Sequence, residues 1–192
     1  MEAFLVSTGI VALAEIGDKT QLLAFLLAAR YRRPTPIIMG ILCATLLNHA
    51  LAGLLGRLLV GVISPEALRY GLAASFLGMA VWILIPDKLD EDDALAKRRS
   101  SIFVTTLAAF FLAEMGDKTQ IATVALAARY PSVLMVVCGT TVGMLLANVP
   151  AVLLGDRLAH RLPVRLVHGV AASIFAVLGI LLLLAPAADL AR

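Results

Sequence analysis

The sequence predicts an all-α integral membrane protein with six transmembrane helices, arranged as two inverted three-helix repeats. Three observations carry that expectation. Hydrophobic residues make up 61% of the 192-residue chain, and mean hydropathy is +0.96, whereas ordinary soluble domains are nearer half apolar. Six apolar stretches each reach the length of about 20 residues that crosses a hydrocarbon core. The chain also repeats itself at an offset of 99, with 13 of 19 residues identical between Leu13–Tyr31 and Leu112–Tyr130. Long, uniformly apolar runs exclude barrel strands, and open sheet edges cannot face lipid.

The segments follow in order. The first runs from Ala3 to Ala29 and stops at Arg30, Arg32, Arg33 and Pro34. The second covers Pro36 to Ile63, and Ser64-Pro65 breaks the chain so that Pro65 opens the third, which ends at Ile85 before Pro86. Residues 1–86 form the first repeat. A charged loop, 87–101, is too short and polar to be a domain. The second repeat, 102–192, holds a fourth segment over Ile102–Ala128, a fifth over Ser132–Leu154 and a sixth over Val164–Leu184. Pro163 precedes the sixth and Pro186 follows it. The start at Met1-Glu2 lacks the basic region of a signal peptide, so the first segment is expected to be mature structure.

Basic residues set the orientation. Arg30, Arg32, Arg33, Lys88, Lys97, Arg98, Arg99, Arg157, Arg161 and Arg165 fall in alternate loops, against Arg57, Arg69, Arg129 and Arg192 on the other side. The positive-inside rule puts the first set, with the 87–101 loop, in the cytoplasm and both termini outside. Asp90 to Asp93 leave that orientation unchanged, because acids contribute little to it. A three-span unit inverts its successor, and Arg30 and Arg129 accordingly hold one repeat position on opposite sides. Weaker echoes pair Gly40 with Gly139, Asn48 with Asn148, and Gly71–Ser75 with Gly169–Ser173. Net charge is only +3, and no basic run interleaves with aromatics, so a nucleic-acid partner is not expected. Cys43 and Cys138 have neither zinc nor redox spacing and read as small core residues.

The chemistry lies in a stretch that occurs twice: Glu15-Ile-Gly-Asp18-Lys19-Thr20-Gln21 and Glu114-Met-Gly-Asp117-Lys118-Thr119-Gln120. Each sits mid-segment, where one charged group costs about 2.5–3.5 kcal/mol on insertion scales. On an ideal helix Glu15 and Asp18 share a face, flanked by Lys19 and Gln21, and Glu114, Asp117, Lys118 and Gln120 repeat the pattern. Thr20 and Thr119 point away unless the helix unwinds near Gly17 or Gly116. Helix packing and local unwinding are both open roles for these glycines. Two such faces brought together carry four carboxylates and two lysines, a sum of −2 that a divalent cation neutralises. Oxygen ligands without nearby His or Cys select hard ions, Ca²⁺, Mn²⁺ or Mg²⁺. Asn48 and Asn148 either complete the ligand shell or form interhelical hydrogen bonds. The lysines are counter-ions for the empty site or salt-bridge the neighbouring Glu. Protons compete with a metal for buried carboxylates, which is the requirement for exchange. His49, beside Asn48, is either a proton relay or a buried structural histidine. His160 and His168 lie near membrane ends and read as interfacial, and Trp82 and Tyr70 as packing or interface residues.

Two copies of E-x-G-D-[KR]-[TS], each in the first helix of a three-helix repeat with a charged loop between, resemble a cation–proton antiporter family. That family includes the human Golgi protein linked to a glycosylation disorder, and its bacterial members are associated with manganese export. The resemblance spans the chain and both motifs match without departure. It implies a multi-pass protein of the bacterial inner membrane that exchanges Mn²⁺ or Ca²⁺ for H⁺. It implies metal ligands at Glu15, Asp18, Glu114 and Asp117, with Lys19, Thr20, Lys118 and Thr119 in the motif. The partners expected are the cation, protons and the bilayer, with a homodimer through Gly- and Ala-rich faces as a further option. No cofactor and no enzymatic activity are expected. An intramembrane aspartyl protease would need glycine where Glu15 and Glu114 stand. A passive divalent cation channel is the stronger alternative, since acid rings select cations in pores.

Overall fold

A computed structural model describes residues 1–85, 101–154 and 164–184; the side chains of Val164, Arg165, Val167 and His168 lie outside that description. The charged loop 87–100, with Lys88, Asp90–Asp93, Lys97, Arg98 and Arg99, also lies outside it, as do Arg157, His160, Arg161 and Arg192 and the breaks at Pro86, Pro163 and Pro186. The described residues are all-helical, in eight helices. These are α1 (Glu2–Glu15), α2 (Lys19–Tyr31), α3 (Pro34–Val62), α4 (Pro65–Trp82), α5 (Ile102–Glu114), α6 (Lys118–Arg129), α7 (Val133–Leu154) and α8 (Val164–Leu184).

Two expected spans are not single helices. The first is divided into α1 and α2, the fourth into α5 and α6, each across three residues that include Gly17 or Gly116. Their φ angles are 84° and 75°, a left-handed conformation that glycine alone adopts without steric cost. Space is not the issue at Gly116, where an added methyl group meets nothing within 4 Å. The uniform 100° face expected for Glu15 and Asp18 therefore does not exist: Glu15 ends α1, and Asp18 caps α2. Elsewhere the local signals act as expected. Ser64 Oγ caps α4 by accepting from the Ala67 N–H, with Pro65 as the first helical residue, where a missing N–H is harmless. Arg32 ends α2 at φ 51° with its N–H donating to Ala28 O.

α3 and α7 are long and apolar enough to cross a membrane. They form the centre of the packing, and each takes the broken helix of the other half. α1 lies along α7 in the same sense: a methyl group on Gly139 would stand 2.5 Å from Phe4 O and 3.0 Å from Ser7 Cβ, while Gly143 faces Val11 and Ala12. α5 lies along α3 in the same way. A methyl group on Gly40 would stand 2.7 Å from Thr106 Cβ and 3.0 Å from Phe103 O, and further along Asn48 Nδ2 donates to Phe111 O. Both glycines are thus required for close helix approach. α3 and α7 run in opposite senses, since Gly53 late in α3 meets Val133 and Val137 early in α7. Phe76 of α4 packs on Phe175 of α8 at 5.9 Å between centroids, and these two residues are themselves 99 apart in sequence. One apolar cluster joins α1, α4, α6 and α8, and a second joins α2, α3, α5 and α7. The outward side of α3 is a stripe of exposed leucines, among them Leu47, Leu51, Leu54 and Leu58.

Candidate cation site

The two helix breaks meet inside the molecule. Glu15, Asp18, Glu114, Asp117, Thr20, Thr119 and Lys118 are all buried, whereas the Lys19 side chain keeps 25% of its surface exposed. Breaking a helix leaves unsatisfied carbonyls at one new end and N–H groups at the other. Glu15 and Glu114 are the last residues of α1 and α5, at the ends whose dipoles favour a cation. Asp18 and Asp117 stand at the N-caps of α2 and α6, where carboxylates are favoured.

Unwinding lets side chains return to the break. Gln21 Oε1 accepts from the Gly17 N–H at 2.9 Å, and Gln120 Oε1 from the Gly116 N–H at 2.7 Å. The same turn swings each threonine round to its glutamate: Thr20 Oγ1 donates to Glu15 Oε2 at 2.7 Å and Thr119 Oγ1 to Glu114 Oε2 at 2.9 Å. On an unbroken helix neither bond forms. A substitution at the hinge tests this. Gly116→Ala forces φ 75° on a residue with a Cβ and is expected to lower stability by about 1–2 kcal/mol, read as a fall in melting temperature of the detergent-solubilised protein. Since the site around Gly116 has room for the methyl group, an unchanged melting temperature would show that the left-handed hinge is not the resting conformation.

The lysines pair across the two motifs. Lys19 Nζ lies 3.0 Å from Asp117 Oδ1 and Lys118 Nζ 3.1 Å from Asp18 Oδ1. The expected alternative of a salt bridge to the neighbouring glutamate is corrected by these contacts; the glutamates take hydroxyl donors instead. Three carboxylates, Glu15, Glu114 and Asp117, each present an oxygen within 4.8 Å of the others. Trans oxygens on one hard divalent ion stand about 4–5 Å apart and neighbouring ones about 3–3.7 Å, so the three oxygens need only a modest contraction to share a guest of that class. Each of the three also has one oxygen without a hydrogen-bond partner: Glu15 Oε1, Glu114 Oε1 and Asp117 Oδ2. Asp18, expected as the fourth ligand, is outside this group and holds Lys118.

The asparagines divide in role. Asn48 Oδ1 accepts from Gln120 Nε2 at 3.5 Å while its amide holds Phe111 O, so it fixes the second motif's glutamine. The matching donor from the first motif, Gln21 Nε2, goes to Ala147 O at 3.1 Å. Asn48 thus corresponds to Ala147 at an offset of 99, and the expected pairing of Asn48 with Asn148 is off by one residue. The true partner of Asn148 is His49. Asn148 Nδ2 donates to Met144 O at 3.1 Å and touches Met144 Sδ at 3.0 Å. His49 is fully buried. A single mid-span histidine gave a signal in the sequence, but its equivalence to Asn148 needed the register of the glutamine bonds.

Comparison with known families places the chain. The model of the divalent cation/proton antiporter GDT1 matches residues 3–91 and 102–189. The chain belongs to the GDT1 family. Among its relatives is a Vibrio cholerae protein named "Putative manganese exporter", 54% identical over 176 residues, which cover 91% of this chain and 87% of that one. "GDT1-like protein 5" of Arabidopsis thaliana is 30% identical over 223 residues, with 97% of each chain covered. "GDT1-like protein sll0615" of Synechocystis is 29% identical over 200 residues, covering 92% of this chain and 96% of the relative. No solved structure matches the chain. The GDT1 family's activity is antiport rather than an enzymatic reaction, and its two matched regions each contain one complete acidic motif.

Proposed function

We propose that the chain is a secondary transporter that exports a divalent cation in exchange for protons, with Mn²⁺ as the preferred substrate and Ca²⁺ as the alternative. The observation that carries this reading is the convergence of Glu15, Glu114 and Asp117 within 4.8 Å, all buried. When the cation occupies the group it takes up the carboxylate charge. When it leaves, protons on the glutamates and the two lysine–aspartate pairs carry the balance, so each ion excludes the other. The Mn²⁺ preference is supported by the name of the 54% identical relative, "Putative manganese exporter", and by the oxygen-only donor set.

The same reading includes six spans as two inverted three-helix repeats, 1–86 and 102–192, in a bacterial inner membrane. Both termini lie outside and the 87–101 loop is cytoplasmic. The parallel packing of α1 on α7 and of α5 on α3, with α3 and α7 antiparallel, supports it. So does the contact between Phe76 and its repeat partner Phe175. Inverted repeats commonly place the substrate at discontinuous helices near mid-membrane. A passive cation channel is disfavoured by the closed cross-pairing of lysines and aspartates, which describes a site that binds rather than a pore.

Purified protein in liposomes tests the proposal: an imposed proton gradient is expected to drive Mn²⁺ movement, with excess Ca²⁺ competing only weakly. Metal flux that ignores the proton gradient would establish the channel instead. In the same assay Arg32→Ala is expected to leave transport within about twofold of the parent, because Arg32 is an exposed helix cap remote from the acidic group. Complete loss with normal insertion would place part of the mechanism at that rim.

A further inference from the structure

Six of the helices obey the repeat in both halves of the molecule, and α4 and α8 do not. The packing of α1 on α7 is matched by α5 on α3, that of α6 on α3 by α2 on α7, and that of α1 on α6 by α5 on α2. The α4–α8 pair shares one apolar cluster with α1 and α6, on the side where α1 begins. The cluster that holds α2 and α5 contains no residue of α4 or α8. Among the described residues, the pair therefore leans on one half only.

Equivalent residues, 99 apart, register the same lean. Ala3, Ile10 and Ala14 of α1 are buried in the cluster with α4 and α8, while Ile102, Ala109 and Ala113 of α5 are half-buried. Ala125 of α6 is 2% exposed, and its equivalent in α2, Leu26, is 48% exposed. Ala128 is buried where Ala29 is exposed. Lys118 lies on the same stripe of α6 as Ala122 and Ala125, at spacings of four and seven. It is 0% exposed, whereas the side chain of Lys19 is 25% exposed. The second helix break is also open: Met115 and Gly116 are exposed, while Ile16 and Gly17 are half-buried. Non-helical backbone at membrane depth is tolerated where protein buries it or water reaches it. The second break thus borders an aqueous opening, next to the contact of Lys19 with Asp117 at 3.0 Å.

The pair is tight within itself and loosely seated. A methyl group on Gly179 of α8 would stand 2.8 Å from Leu77 Cγ and 3.2 Å from Ala73 O of α4, and Phe76 packs on Phe175. Against α1 and α6 the pair leaves a cleft of about 510 Å³, lined by Val6, Phe76, Leu126, Tyr130, Leu178 and Leu182 among others. Close-packed interiors hold few voids larger than a water molecule, so this contact is the one that can part.

We propose that α4 and α8 move as one gate that seals the acidic group from one face of the protein at a time. This structure is the state sealed toward the face where α1 begins and open toward the face where α2 ends. The inference rests on the antiport reading, whose topology makes the open face the cytoplasmic one. The repeat supplies the opposite state. The pair leaves α1 and α6, seats on α5 and α2, buries Leu26, Ala29 and Lys19, and uncovers Lys118. Two apolar seats related by the repeat make the element bistable, and a rigid pair shifts between them as a body.

Cysteine pairs in a Cys43→Ala/Cys138→Ala background test this. Val6→Cys and Leu182→Cys line the same cleft, and a short cleavable cross-linker between them holds the pair on its present seat. The linked protein in liposomes is expected to exchange Mn²⁺ for protons at least about tenfold more slowly, with recovery when the linker is cut. Its Mn²⁺ affinity in detergent is expected to stay within about threefold. Full exchange by the linked protein would overturn the proposal, and so would loss of Mn²⁺ binding. Thr105→Cys with Ile83→Cys marks the equivalent seat in the other half. Linking there is expected to be at least about threefold faster under imposed Mn²⁺ and proton gradients than without them. Equal rates, or no linking in either condition, would overturn it. Without gradients, Leu26→Cys is expected to react with a membrane-impermeant thiol reagent about tenfold faster than Ala125→Cys; equal reactivity would count against the gate. Failure of the antiport reading is distinguishable: the unlinked protein then moves Mn²⁺ without responding to a proton gradient, whatever the linking pattern.

Discussion

Glu15→Gln abolishes proton-coupled metal movement, to below about one hundredth of the parent rate, while the protein still inserts and folds. The substitution keeps the size of the side chain and its ability to accept from Thr20 Oγ1. It removes one negative charge and one anionic oxygen from a group of three that closes to 4.8 Å. Two carboxylates with the cross-paired lysines no longer balance a divalent cation, and the amide cannot take up the proton that exchange returns. Asp117→Asn has the same consequence by a second route, because it also strips Lys19 of its partner at 3.0 Å. The checks are Mn²⁺ binding to the purified variant and pH-dye traces from liposomes. Normal exchange by either variant would remove the acidic group as the site.

Lys118→Met is the more damaging of the two lysine substitutions. Lys118 is 0% exposed and pairs with an equally buried Asp18. Deleting one partner of a buried ion pair leaves a charge in a low-dielectric surrounding, which costs about 3–5 kcal/mol. Lys19 makes the same contact with Asp117 and keeps 25% of its surface exposed, but Asp117 is only 2% exposed, so Lys19→Met also strands a buried carboxylate and its cost falls short of that of Lys118→Met only by the screening the partly exposed pair already has. Melting temperatures of the solubilised proteins check the order. A second variant separates charge from packing: Asp18→Asn combined with Lys118→Met restores most of the lost stability but does not restore exchange. Equal melting temperatures for the two single lysine variants would show that the cross-pairing is not an unequal structural brace.

Much of this architecture was legible in the residues themselves. Apolar runs marked each helix pair to within a few positions, because burial in an apolar medium constrains composition over some twenty residues. Pro65 and Ser64 marked the start of α4 by purely local chemistry. The acidic motif stood out because carboxylates and lysines in such runs are costly without partners. The helix break did not follow from the residues alone: glycine serves close packing and a left-handed hinge equally well. Gly40 and Gly139 do the first, Gly17 and Gly116 the second. Thr20 and Thr119 looked misdirected on an ideal helix for the same reason. The one-residue error in pairing Asn48 with Asn148 arose because an amide on one side is matched by a backbone carbonyl on the other, and a carbonyl has no letter of its own in the sequence.

The sequence by itself determined the chemistry available: two identical sets of acids, lysines and hydroxyls in apolar surroundings, with a net charge suited to a divalent cation. Only the tertiary structure decided how that chemistry is shared. It put Glu15, Glu114 and Asp117 within reach of one another, assigned each lysine to the opposite motif's aspartate, and left Asp18 as the holder of Lys118. The physical reason is range. Composition and helix periodicity act over a few turns, whereas these pairings join residues 98 to 100 apart in sequence, and they form only when α1 on α7 and α5 on α3 bring the two breaks to the same depth.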